Sequence, residues 1–528
     1  MPLYLLIALV SILTLNVSIQ AQTSADNRMV KFENNKLVYN QDKEFNRIPD
    51  FSFAGYKNSN VDVPAIKNVI RTISPIPGDN TDHINKAIQA SKNVPKDDHG
   101  QRGVLLLKKG KYDVYGIINV DVDGLVIRGE GSGNNPDEAT VIYGRGNSPA
   151  QRNIMVVGSG TKKWQKATLQ TDIVTDFVQV SSNSFEIKDA KPYQIGDLIV
   201  IEHPCSEDWL KAVDYGGTAD DTIGKWTVGF RPIVFKRTIT KIKGNQVTID
   251  VPFYNHLNRK LSQSVIYKVK DDVKSNIGIE NLRIEILDWK ERDNDEDHAK
   301  SALQMAGVKD SWIKDVSAAN FSMSGFSFVN AERVSVLNCI AEDPVSLIKG
   351  GRRYNFSVDD YCGQILFKDC IAKKGRHNYV SNGTTTVAGI VYLNCLSVDP
   401  YATTEGHRQW SMAMLFDNFK DIGTMPKNKL VLGIYNRGSY GTGHGWANAH
   451  SVLWNCDVRR EDGQHGIMTC QKPPTAQNYV IGGYGTVNKN TPFPQYPYGY
   501  VDGVNQPMAG LLPESLFLQQ LKERLAQH

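Results

Sequence analysis

Short apolar runs of β character recur along the chain, and each closes on Asn or Asp followed by Cys or an aliphatic residue. They are Ile277–Leu282 (IGIENL), Trp312–Val316 (WIKDV), Val334–Cys339 (VSVLNC), Gln364–Cys370 (QILFKDC), Gly389–Cys395 (GIVYLNC) and Ser451–Cys456 (SVLWNC). The Asn/Asp positions 281, 315, 338, 369, 394 and 455 step by 34, 23, 31, 25 and 61. The last step leaves room for one more turn, which Val431–Asn436 (VLGIYN) is expected to fill. A period from the twenties to the low thirties, with one β segment in each, marks a solenoid. No amphipathic helix of useful length lies between the segments. Helical and leucine-rich repeats are thereby excluded, and an all-β fold, a right-handed parallel β-helix, is predicted. Stacked coils about 4.8 Å apart turn each repeat position into a ladder. Cys339, Cys370, Cys395 and Cys456 then form one inward ladder of reduced, apolar side chains. Asn338, Asp369, Asn394 and Asn455 form a polar ladder at a turn.

The flanking sequence supplies ends and an interruption. Asp79-Asn80-Thr81-Asp82 starts a helix with Ile84, Ala87 and Ile88 at helical spacing and Asn80 or Thr81 as N-cap. This helix is expected to cover the open end of the core, where stacked strands would leave backbone unpaired. Val104–Leu107, Gly116–Val120 and Leu125–Ile127 read as the first coil or two. From about 160 to 270 the rhythm breaks. Phe177–Val180, Ser184–Ile187, Asp197–Ile201 and Gln246–Val251 read as strands of a β-rich insertion, with a turn at Gly244-Asn245. Residues 513–526 read as a C-terminal helix with Phe517, Leu518, Leu521 and Leu525 on one face. The expected organisation is a leader (1–21), an arm (22–75) and one β-helix domain (76–528).

Three of these stretches carry a resemblance. Asp79–Ala90 (DNTDHINKAIQA), Arg102–Tyr112 (RGVLLLKKGKY) and Leu125–Gly131 (LVIRGEG) resemble the entry of pectate-lyase-superfamily β-helix proteins. There, an Asp/Thr-rich helix start precedes a G-V-hydrophobic, P-x-G-x-Y strand pair and an I-x-G-x-G turn. Lys109 stands where that family often has proline. Phe51–Tyr56 (FSFAGY) resembles the N-terminal arm of many secreted carbohydrate-active members. The resemblance spans roughly residues 46 to 525 and implies a β-helix in a secreted carbohydrate-active protein. It leaves the reaction open, because the superfamily holds polysaccharide lyases, glycoside hydrolases, esterases and phage tailspikes.

Composition narrows the setting. At 528 residues the chain exceeds one ordinary globular core. A net charge of +4 is too mild for nucleic acid, which calls for a clustered basic face. The apolar run Leu3–Val17, interrupted by Ser11, Thr14 and Asn16, reads as a signal peptide cut after Ala21. It is too short and too polar for a comfortable span, although no Lys or Arg precedes it. A secreted or periplasmic protein, off the membrane once the leader is removed, is expected. Seven cysteines argue against a complete disulfide framework in an exported chain. The oligomeric state is left open.

Candidate chemistry concentrates between residues 350 and 470. The segments are Gly350–Asn355 (GGRRYN), Gly375–Asn378 (GRHN), Glu405–Trp410 (EGHRQW), Asp417-Asn418, Asn436-Arg437 and Gly443–Trp446 (GHGW). On successive coils they are expected to converge on one lateral face. A lyase acting on a uronic acid must neutralise the carboxylate, remove the C5 proton and protonate the leaving oxygen. His377, His407, His444 and Arg437 are the expected catalytic set. Arg353, Tyr354, Arg376 and Arg408 are expected to bind substrate, since guanidinium pairs carboxylates bidentately. Trp410 and Trp446 are expected to stack on sugar faces. A glycoside hydrolase is the alternative; it needs two carboxylates about 5–9.5 Å apart and would draw on Asp360, Glu405 and Asp417. Asp359-Asp360 is superficially similar to the paired aspartates of polygalacturonase-like hydrolases. Adjacent strand residues face opposite ways, however, and only Gly443-His444-Gly445 matches the rest of that pattern. A non-catalytic glycan-binding solenoid is the third reading. Gly129–Gly133 is explained by a turn, with no helix or Lys-Ser/Thr after it to make a nucleotide loop. No HExxH or paired CxxC is present, so no metal is expected. The acidic run 293–297 (DNDED) leaves calcium open, and a solvated loop is its simpler reading. Cleavage of an acidic polysaccharide by a lyase is the preferred function.

Overall fold

A computed structural model describes residues 28–148, 152–218, 224–423, 430–460, 464–505 and 511–527; the expected leader lies outside them. Parallel strands stack coil upon coil into a β-helix. One column can be followed through its register: Leu105, Ile127, Ile279, Ile313, Val336, Phe367, Tyr392, Phe416, Leu453 and Val480 are successive partners. Every one of them is buried. Stacking extends to the rings: Phe367, Tyr392 and Phe416 lie nearly parallel, 5.0 and 4.8 Å apart.

Two residues past each of these partners from Ile279 to Leu453 the chain turns a corner. Asn281, Asp315, Asn338, Asp369, Asn394, Asn418 and Asn455 all have φ between 50° and 56°. Asn and Asp tolerate this left-handed conformation better than other side-chain-bearing residues, which is why the repeat carries them there. They also bond one another along the stack, Asn338 Nδ2 to Asp315 Oδ1 at 3.2 Å and Asn455 Nδ2 to Asn418 Oδ1 at 2.7 Å. The next residue points inward. Leu282, Val316, Cys339, Cys370, Cys395, Phe419 and Cys456 fill the core, and all seven cysteines of the chain are free and buried.

The missing turn is Ser411–Asp417 with Asn418-Phe419, not Val431–Asn436. Ser411–Asp417 pairs with Ala388–Leu393 below and with Val452–Trp454 above. Phe419 replaces the cysteine that marks neighbouring coils, and this hid the repeat. Leu430–Ile434 belongs to another column, between Thr404–Gly406 and Ile467–Cys470.

The helix Thr81–Ala90 buries Ile84, Ala87 and Ile88 against the first coils. Asp79 Oδ1 accepts from both the Thr81 amide and its hydroxyl, so Asp79 does part of the capping expected of Asn80 or Thr81. After Asn153–Val157 the chain leaves the solenoid and returns at Lys274–Ser275, which pairs in parallel with Val308 and Lys309 just ahead of the strand Gly278–Ile286. The excursion is an antiparallel sheet in which Leu198–His203 lies between Ile233–Lys243 and Val265–Lys270. Gly244-Asn245 turns Ile233–Lys243 into Gln246–Ile249. A short helix, Glu207–Ala212, is capped by Ser206, whose hydroxyl accepts from the Trp209 amide. This sheet buries Trp209 and Trp226 against the solenoid.

The C-terminal helix is Leu516–Leu525. Its buried face is Leu516, Phe517 and Gln520, whereas Leu518 (46%) and Leu525 (41%) are exposed. The expected apolar stripe is corrected because Gln520 is the hub. Its Oε1 accepts from the Phe51 amide, and its Nε2 donates to the Tyr39 hydroxyl and the Pro49 carbonyl. The helix thus docks on the arm as well as the solenoid; the Leu37 amide also donates to Glu523 at 2.8 Å. Among the described residues, no helix is long and apolar enough to cross a membrane.

Candidate functional site

A second strand column carries the polar centre. Tyr354–Val358, His377–Ser381, Thr404–Gly406 and Leu430–Ile434 stack in that order. Tyr354 and His377 are direct partners. His407 follows the third strand directly, and Arg437 and His444 follow the fourth. Stacking therefore brings side chains up to 90 residues apart onto neighbouring coils.

The three histidines meet. His377 and His407 ring centres are 4.6 Å apart, and His407 and His444 are 4.8 Å apart. The Tyr354 ring lies 5.5 Å from His377 and 5.8 Å from His407. Glu405 is fully buried beneath them. Its Oε1 is 2.9 Å from His407 Nδ1 and 3.1 Å from Arg437 Nε, and its Oε2 accepts from the Tyr435 hydroxyl at 2.8 Å. Arg437 also donates to the His407 carbonyl at 2.8 Å.

These partners set the protons. His377 Nδ1 donates to the Thr403 carbonyl, which leaves Nε2 as the lone-pair atom. That Nε2 is buried without a partner. His407 Nδ1 lies 2.9 Å from both Glu405 Oε1 and Arg437 Nη1; in the tautomer in which it donates to the carboxylate, its Nε2 is the lone-pair atom too. Burial holds both histidines well below the ordinary imidazole range, and the arginines nearby push the same way. Burial, then Arg437 and Arg408, bring His444 down to about 4. All three rings are neutral at neutral pH. Tyr354 oxygen accepts from Arg376 Nη1 at 3.2 Å and from the Gly351 amide at 3.1 Å. Its own O–H is left to point elsewhere. Arg376 and Arg408 are half-buried at the site, and Arg408 is anchored through the Asn382 carbonyl at 2.8 Å.

His377, Glu405 and His407 have donor atoms within 4.8 Å of one another, the spacing of a metal site. Arg437 occupies the place of a cation there, 3.1 Å from the same carboxylate oxygen. A divalent ion would face that guanidinium at close range, so the donor set fits an ion pair better than a metal.

Several expected site residues are elsewhere. Arg353 is buried, bonded to the carbonyls of Ser346 and Arg292 and paired with Asp293 at 2.5 Å. With Arg352 on Glu296, it pins the acidic run 293–297 to the solenoid, and at 1% exposure it is closed to substrate. Trp410 and Trp446 are fully buried and offer no ring face to a sugar. Trp410 donates to Asn255 Oδ1 at 3.0 Å and meets Trp209 edge-on; the Trp446 amide donates to Gly216. Both fasten the insertion. The three carboxylates proposed for a hydrolase do not assemble. Asp417 accepts from the Ser515 hydroxyl and the Phe517 amide and serves as a cap for the C-terminal helix. Asp360 accepts from Thr384 at 2.9 Å and lies beyond the strand Tyr354–Val358. By strand spacing its Cα is roughly 14 Å from that of Glu405.

No family model matches the chain, and no curated protein matches it. Solved structures do. PfbA, a surface adhesin of Streptococcus pneumoniae, aligns at 9% identity with a TM-score of 0.42, over 80% of each chain. The tailspike gp61 of Pseudomonas phage phi297 aligns at 11% identity and 0.38, over 82% of this chain and 74% of that one. An alginate lyase from Paenibacillus sp. str. FPU-7 aligns at 10% identity and 0.35, over 83% and 99%. The parallel β-helix implied by the sequence resemblance is present; the superfamily itself rests on the quoted motifs.

Sequence reasoning missed Tyr435, Tyr401 and Tyr440. Tyr435 is legible only once Leu430–Ile434 is placed beside Thr404–Gly406. Tyr401 and Tyr440 are half-exposed, at 44% and 47%. Each ring faces an arginine, Arg353 over Tyr401 at 5.6 Å and Arg437 over Tyr440 at 5.8 Å. A signal existed: both follow Pro or Gly-Ser in loops, where an aromatic residue has no core to fill.

Proposed function

We propose that this protein is a polysaccharide lyase that cleaves a uronate-containing glycan by β-elimination. One observation carries the reading: neutral histidines with free lone pairs stand beside a tyrosine and arginines, around a single carboxylate already neutralised by Arg437. A hydrolase needs a second carboxylate; a lyase needs a base, an acid and a cation.

In this mechanism Arg376 and Arg408 hold the uronate carboxylate and stabilise the charge that builds on it. His407 Nε2 takes the C5 proton. Glu405 keeps that ring in the right tautomer and stabilises the imidazolium that forms. The electron pair becomes the C4–C5 double bond as the C4–O bond breaks, and the leaving oxygen takes the proton of the Tyr354 hydroxyl. Tyr401 and Tyr440, in place of the buried tryptophans, are the sugar-stacking rings.

The test is incubation with a panel of uronate polysaccharides. Unsaturated products absorbing in the ultraviolet are expected, and their formation is expected to vanish in Tyr354→Phe and His407→Ala. New reducing ends without that absorbance would make the protein a hydrolase. Glycan retention without any depolymerisation would make it a binding solenoid.

A further inference from the structure

Away from the polar centre, the arm, the insertion and the C-terminal helix enclose a cleft of about 920 Å³. It shares no lining residue with the histidine cluster. Tyr39, Arg47 and Asn58 come from the arm, Asn183 and Asp250 from the insertion, and Arg524 from the helix. Segments nearly 500 residues apart in sequence thus build one wall.

Two polar atoms of that wall are buried without a hydrogen-bond partner, the donor Arg47 Nε and the acceptor Asn58 Oδ1. Asn58 also lies between two residues, Lys57 and Ser59, in a costly backbone conformation. Lys57, Asn58 and Ser59 have φ of 48°, 58° and 53°, three successive left-handed residues and none of them glycine. Such strain persists where surrounding structure imposes it, and it gathers at ligand clamps. The left-handed turn is fixed by the Asn58 carbonyl and the Asn60 side chain, both of which accept from Arg524.

The lining selects a class of ligand. Arg47 and Arg524 face Asp50, Asp250 and Glu523, so the cleft carries no excess of positive charge and does not favour a polyanion. Amides and hydroxyls stand beside Tyr39, Phe53 and Leu525, which gives polar and apolar surface side by side. A sugar ring matches this, with hydroxyls that both donate and accept around apolar C–H faces. The volume falls within the range of ordinary ligand sites and is large enough for several rings. We infer that this cleft is a second glycan-binding site, taking a short neutral stretch of oligosaccharide. It does not depend on the lyase reading, and it holds sugar without cleaving it.

Calorimetric titration of the whole protein with cellohexaose, xylohexaose, mannohexaose and hexagalacturonate tests this. At least one neutral hexasaccharide is expected to bind. Asn58→Gly removes the acceptor and relieves the left-handed turn, so it is expected to keep or raise the melting temperature while weakening binding by roughly tenfold or more. Arg47→Ala is expected to weaken binding likewise, and His407→Ala to leave it unchanged. The proposal is overturned if no neutral hexasaccharide binds. It is equally overturned if binding survives both Asn58→Gly and Arg47→Ala, or is lost with His407→Ala.

Discussion

At the polar centre, Glu405 is the residue on which the others depend. It meets His407, Arg437 and Tyr435 at once. Replacing Glu405 with Gln leaves Arg437 buried without its counter-charge, and removing one partner of a buried pair typically costs about 3–5 kcal/mol. Chemical denaturation of Glu405→Gln is expected to read a loss of that size together with lost activity. His407→Ala is expected to lower kcat by about 10²–10⁴-fold, the usual weight of a general base. Asp360→Asn, whose carboxylate accepts from Thr384 and Thr386, is expected to turn over normally. The histidines were legible from the sequence because each sits beside Arg, Gly or Trp in a run of polar residues. The fates of Trp410 and Trp446 were not. Their burial depends on Asn255 and Gly216, in an insertion about 150 to 230 positions earlier.

Ladders govern the elements. The Asn/Asp positions predicted the corners because left-handed φ restricts the choice of side chain at every coil. The one coil misplaced was the one whose inward residue, Phe419, is neither cysteine nor aliphatic. Every thiol is buried, and in Cys339, Cys362, Cys395, Cys456 and Cys470 burial pushes the thiol up. A thiol reagent is therefore expected to label none of the seven cysteines in the native protein and all of them after denaturation. Asp417 shows the same logic at a helix. Two donors meet its Oδ2 while burial raises its carboxyl to about 7. Asp417→Ala is expected to cost about 1–3 kcal/mol, since it strands the Ser515 hydroxyl and the Phe517 amide. Turnover should persist, because Asp417 caps the helix and does not touch the histidines.

Across the whole molecule, buried titratable groups set how stability follows pH. His203, His256 and His444 are brought to about 4, and His377, His407 and His450 lie well below the ordinary value, burial being the first cause in each. A group with a depressed folded pKa contributes fully above its unfolded value, about 6.5 for histidine, and loses that contribution as pH falls. Burial works the other way on Asp359, raised to about 6, and on Asp417 and Asp421, raised to about 7, with Asp50 also raised. Their contribution is present in acid and fades as pH rises through those values. Six histidines outweigh four aspartates, so the melting temperature is expected to be higher at pH 6.5 than at pH 4.5. A thermal scan across that interval checks the sign.

The docking of Glu523 and Gln520 on the arm has a mechanical consequence. In a stack whose coils touch only their neighbours, disorder can begin at either end and run inward. Here the arm also touches the middle of the stack, where the Tyr56 amide donates to Ser335 Oγ. The last helix therefore cannot peel away without also freeing the arm. The stack behaves less like a zipper with two open ends than like a buckled belt. Pulled from both ends, it should resist until the buckle opens and then give way in one event.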